Sequence, residues 1–74
     1  MSKLPALKPR EIIAALKRAG FVEHHQRGSH LHLWHETRKR MATVPVHPGD
    51  VKRGTMNAII RQAGMTAEEF QSLL

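Results

Sequence analysis

The chain has 74 residues, no cysteine, 41% hydrophobic and 24% charged residues, and a net charge of +6 with its six histidines neutral. A chain this short buries only roughly 60% of its unfolded surface, so it builds one domain with a small core and has no disulfide or Cys-based metal site to support it. No apolar run approaches the ~20 residues that cross a bilayer. The start, Met1-Ser2-Lys3-Leu4-Pro5, lacks the apolar stretch of a signal peptide, so the cytoplasm is the expected compartment.

Residues 1–7 read as a short leader with little pattern. Pro9 suits the first turn of a helix and Glu11 its positive end. Ile12, Leu16 and Ala19, widened by Ile13 and Ala15, recur at helical spacing, and Gly20 supplies a stop. The pattern predicts a helix over 9–19. Phe21 to Arg27 reads as a strand and Gly28-Ser29 as a turn. From Ser29 to His35 the sequence alternates, with Leu31 and Leu33 on one side and His30, His32 and Trp34 on the other. Glu36 to Lys39 is a polar turn. Arg40 to Val46 is a third strand, placed at an edge or a strand end by Pro45, which lacks a ladder donor.

A loop over 47–54 leads to a second helix, expected to be capped by Thr55 and to bury Met56, Ile59, Ile60 and Ala63 before Gly64 ends it. Thr66 caps a last turn or two, with Phe70, Leu73 and Leu74 to bury. The expected fold is α+β: α-β-β-β-α(-α), a three-stranded antiparallel meander with the helices on one face. The other sheet face, bearing His30, His32 and Trp34, stays open.

The charge excess points to a polyanion as partner. Membrane binding is disfavoured, because the first helix lacks a bulky aromatic face. Three constellations can carry function. His30, after the Gly28-Ser29 turn, is a base for cutting RNA through its own 2′-hydroxyl, chemistry that needs no metal or other cofactor. The competing reading makes His30 an ordinary solvent-facing strand residue. His24, His25, His30, His32, His35 and His47 are numerous, and His30 and His32 can chelate a metal with His24 or His25, but no recognised metal spacing is present. Basic clusters at Lys17-Arg18, Arg38-Lys39-Arg40 and Lys52-Arg53, with Arg61, can line a phosphate track without any chemistry, and Trp34 can stack on a base.

Four fragments then coincide in order: Ala19-Gly20-Phe21 ending the first helix, Gly28-Ser29-His30 opening the second strand, Val44-Pro45-Val46-His47 closing the third, and Gly54 to Thr66 leading into Glu68-Glu69-Phe70. Together they resemble the HicA (YcfA-like) toxins of toxin–antitoxin pairs, over nearly everything from Lys8 to Leu74. The resemblance implies a fold like the double-stranded RNA-binding domain. It also implies an mRNA interferase, that is, an endoribonuclease acting on mRNA. A HicB-type antitoxin is implied as partner, covering the active site and commonly carrying a DNA-binding segment for autoregulation, so that DNA is reached only indirectly through it. The family's single catalytic histidine falls on His30, with Gly28 and Ser29 as its supporting turn. Candidate RNA contacts are Arg27, His32, Trp34, Arg38, Lys39 and Arg40, with His32 as a helper or proton donor. The chain departs from the family in having Glu36-Thr37-Arg38-Lys39 where a turn glycine is common, and Leu33-Trp34 where a tyrosine is common. The remaining alternative is a non-catalytic RNA-binding module of the same fold.

Overall fold

A computed structural model describes residues 4–74. Its elements run α1 (Pro9–Arg18), β1 (Val22–Arg27), β2 (His30–His35), β3 (Arg40–Pro45), α2 (Arg53–Gln62) and α3 (Ala67–Gln71). The strands form one antiparallel sheet in the order β1-β2-β3, which is the expected meander. Leu31 and Leu33 of β2 and Ala42 and Val44 of β3 are buried against Ile12, Ala15 and Leu16 of α1 and Met56, Ile59 and Ile60 of α2. The α+β architecture with both main helices serving one apolar sheet face thus follows from strand alternation meeting two helical stripes.

Local chemistry sets the helix starts. The Glu11 carboxylate accepts the Lys8 backbone N–H at 2.8 Å, closing the first turn of α1 behind Pro9. At α3 the expected cap is present, the Glu69 N–H donating to Thr66 Oγ1 and the Thr66 N–H to Glu69 Oε1, each at 3.1 Å. At α2 the expectation fails. Lys52 is the N-cap without a side-chain cap bond, and Thr55 is the third helical residue. The entry is held instead by apolar contact, since Val51 and Met56, before the cap and one turn in, are both buried. The Val51 N–H also donates to the Leu7 carbonyl at 2.8 Å.

Three further differences concern burial. Leu4 and Leu7, within the stretch read as a leader, belong to the core. Residues 1–3 of that stretch lie outside the described residues. Phe21 lies just before β1 and is buried, whereas every residue of β1 itself is exposed. At the other end Phe70 is fully buried, but Leu74 is 45% exposed.

Gly20 follows α1 at φ +105°, and a Cβ there would meet His35 Nε2 at 2.8 Å. That close approach seats His35. Its Nδ1 accepts the Arg38 backbone N–H at 3.0 Å, so the proton sits on Nε2 and is donated to the Ala19 carbonyl at 3.0 Å. The ring also meets Phe21 edge-on at 5.0 Å between centroids. His35 therefore ties the far end of β2 to the end of α1.

Candidate active site

β2 and its neighbours present His30. Arg27 pairs with His30 across the Gly28-Ser29 turn, and Gly28 sits at φ +58°. A positive φ at the first central position matches a two-residue type II′ hairpin turn, which glycine adopts without strain. On the other side His30 lies opposite Pro45, and the Val46 N–H donates to the Ser29 carbonyl at 2.6 Å. The turn that carries His30 is thus fastened to β3 by its backbone. This is the structural part of Gly28 and Ser29.

The His30 side chain is exposed and, among the described residues, makes no side-chain hydrogen bond. It lines an open groove of about 380 Å³ between β3 and one face of α2. His47, Asp50 and Lys52 enter the groove from the β3–α2 loop, and Thr55 and Gln62 from α2. Gln62 Oε1 accepts the Thr43 backbone N–H at 3.0 Å, so α2 covers a backbone donor of the β3 edge and forms the groove wall. Lys52 and Arg27 make no ion pair among the described residues, while Lys8 lies 3.4 Å from Asp50 and offsets its charge. No side chain caps the start of α2, so the positive end of that helix adds to the cationic field here. An imidazole without a side-chain hydrogen bond, with Lys52 and Arg27 near it, can accept a proton and hold a phosphodiester.

The remaining candidates divide. Arg27 is beside His30. His32 shares its face of β2, but its Nδ1 lies 2.8 Å from Thr43 Oγ1 and its ring packs edge-on against His25 at 5.0 Å. His24 stacks on His25 at 6.0 Å. His30 itself faces Arg27 rather than a histidine. Among the described residues no group of three or more His, Asp or Glu is placed to hold a metal ion.

Arg38, Lys39 and Arg40 do not flank His30. They lie at the opposite end of β2, where His35 pairs with Arg40. Five residue steps of roughly 3.3 Å separate the two ends, about 17 Å. Two of these cations are also engaged: Arg38 lies 3.7 Å from Glu69 and Lys39 pairs with Glu36. The Lys17-Arg18 cluster is likewise used internally, Lys17 bonding Glu23 at 2.6 Å and Arg18 donating to the Leu73 carbonyl at 2.7 Å. Lys39 takes φ +55°, the left-handed conformation that a turn glycine would otherwise supply.

Trp34 lies on the same face as His30, four residues or about 13 Å along β2. Val22 and Met41 are its cross-strand partners and are both exposed, so the three form an apolar patch on the open face. The indole N–H donates to Glu36 Oε1 at 3.0 Å. The Glu36 carboxyl is held below the usual carboxylate range, by the Lys39 ammonium first and by this indole N–H second. A depressed folded pKa means the arrangement is intact above the unfolded value and is lost as pH falls through the folded one. Trp34 fluorescence is therefore expected to step at a pH below the ordinary glutamate range, with the far-UV circular dichroism unchanged. Glu36→Gln should remove the step; a step that persists in that variant would assign it elsewhere.

The residues that sequence reasoning missed at the groove are Asp50, Thr55 and Gln62, together with a place for His47 beside His30. The signal for His47 was present. Counting along the hairpin from His35 opposite Arg40 brings Pro45 opposite His30, and His47 follows Pro45 at strand spacing.

No helix among the described residues is long and apolar enough to cross a membrane. No curated protein matches the chain. A family model for the HicA toxin of bacterial toxin–antitoxin pairs matches residues 9–65, more than half of the chain, from the first helical residue to just before α3. That span holds the Gly28-Ser29-His30 turn, the groove and both main helices, so the chain belongs to the HicA toxin family and takes the toxin's part in a toxin–antitoxin pair.

Proposed function

We propose that this toxin is an endoribonuclease that cuts mRNA, with His30 as the base. His30 removes the ribose 2′-hydroxyl proton, the 2′-oxygen attacks the adjacent phosphorus, and the P–O5′ bond breaks. The products are a 2′,3′-cyclic phosphate and a 5′-hydroxyl end. Arg27 and Lys52 hold the phosphate charge, and Trp34, with Val22 and Met41, offers a face for an unpaired base, worth ~1–3 kcal/mol. The observation that carries this reading is an exposed imidazole without a side-chain hydrogen bond among the described residues, in a groove that Lys52 also lines and opposite Arg27 across the hairpin turn. Such a base needs to contribute only ~10²–10⁴-fold, because RNA already contains the nucleophile.

The antitoxin is of the HicB type and covers the open sheet face around His30, meeting its cations with acidic groups and the Trp34 patch with apolar ones. The pair works in the cytoplasm, and DNA is reached only through the antitoxin. The residues of the chain act as one domain.

The test is direct. Purified protein is incubated with RNA with and without EDTA, and fragment ends are examined. Cyclic phosphate ends that form equally in EDTA are expected. RNA bound in a salt-dependent way but recovered intact would instead make the chain a binding module. Cleavage abolished by the chelator would move the chemistry to a histidine-bound metal.

A further inference from the structure

We propose that His47 is the general acid of the groove, donating a proton to the leaving 5′-oxygen while His30 takes the proton of the 2′-hydroxyl. This rests on the His30 reading and completes it. Cleavage by transesterification needs two proton movements on opposite sides of the phosphorus, and one imidazole poised at one side accomplishes only one of them in a single step.

Three observations select His47. It lines the same groove as His30. Backbone pairing carries β3 one step past Pro45, through the Val46 N–H to the Ser29 carbonyl. With His30 opposite Pro45, strand spacing carried past the end of β3 sets His47, two residues on, diagonally across from His30. Diagonal neighbours stand roughly 7–8 Å apart, which leaves room for one phosphodiester between the two rings. Finally, His47 Nδ1 lies 3.0 Å from the Pro48 carbonyl oxygen. A carbonyl only accepts, so Nδ1 keeps its proton in both charge states and Nε2 is the atom that gives and regains one. His32, the other histidine on this face of β2, spends Nδ1 on Thr43 and packs its ring on His25 of β1.

The step balances as follows. His30 gains the 2′-hydroxyl proton, the 2′-oxygen–phosphorus bond forms, the phosphorus–5′-oxygen bond breaks, and the 5′-oxygen takes the proton from His47 Nε2. Exchange with water then resets both rings. The charged and titratable groups facing His47 are His30, Asp50 and Lys52 in the groove, with Lys8 and Arg10 from the start of α1.

The experiment compares two substrates: ordinary RNA, and RNA in which sulfur replaces the bridging 5′-oxygen at one site. A thiolate leaves without being protonated, so a missing acid matters only for oxygen. His47→Ala and His47→Gln are expected to lose roughly 10²–10³-fold on ordinary RNA and little on the sulfur substrate. They should also lose the alkaline limb of the wild-type pH–rate profile. His30→Ala is expected to lose activity on both substrates. Equal losses by the His47 variants on both substrates, or no loss on either, would overturn the assignment while leaving His30 as base. A His30→Ala protein that cleaves ordinary RNA at the wild-type rate would instead remove the base, and with it the reading on which the acid depends. Circular dichroism checks that each variant is folded; His47 is exposed, so its replacement leaves the core untouched.

Discussion

Replacing His30 with alanine is expected to lower RNA cleavage by at least ~10²-fold and to relieve growth arrest on expression, while thermal stability stays within about 0.5 kcal/mol of wild type. The two halves of this expectation come from one fact. The His30 side chain is exposed and makes no hydrogen bond among the described residues, so the fold does not depend on its ring. The backbone at this position is held by β1 on one side and β3 on the other, and alanine leaves both ladders intact. The measurements are cleavage rate, colony survival and a melting curve on the same preparation. A folded His30→Ala protein with undiminished cleavage would end the assignment. By contrast, alanine at His35 would break contacts with Ala19, Arg38 and Phe21, so any loss there would be structural.

The largest expected effect on stability is at Phe70. Phe70→Ala should cost about 3–5 kcal/mol through lost burial and the cavity left behind. A core in a chain of this size supplies only about 3–5 kcal/mol in total, so the variant is expected to be largely unfolded at room temperature. The reason is specific to α3. Five residues are too few to hold a helix by themselves, and Phe70 is the only buried residue within the element. Leu74→Ala, at a 45% exposed position, should change stability by no more than about 0.5 kcal/mol. Chemical denaturation of the two variants side by side reads the difference. A Phe70→Ala protein with a near-normal midpoint would show that α3 is dispensable to the core. Phe70 lies beyond the matched span of 9–65, as Leu4 and Leu7 lie before it, yet all three pack into the core of the matched segment.

The elements were legible because each rests on short-range chemistry. Leu31 and Leu33 alternate with His30, His32 and Trp34, and a strand has only two faces, so their separation needed no coordinates. The Thr66–Glu69 cap involves neighbours three residues apart and appears as read. The start of α2 did not, because Thr55 satisfies the local pattern equally well and the choice was made by Val51 and Met56 packing into a core assembled from distant segments. Leu4 and Leu7 carry no period, so only the assembled core reveals their burial.

The candidate site divides along the same line. The order of elements, the open sheet face and the position of His30 at the edge of a tight turn could be read from the residues alone, since all three depend on spacing within a few positions. Packing between distant segments settles what surrounds that histidine. It put the Arg38-Lys39-Arg40 cluster at the far end of β2, tied up most of those cations with carboxylates, and brought His47 and Lys52 into the groove instead. Charge has no periodicity, and two groups separated by more than a dozen residues become neighbours only when strand register and helix packing close the space between them.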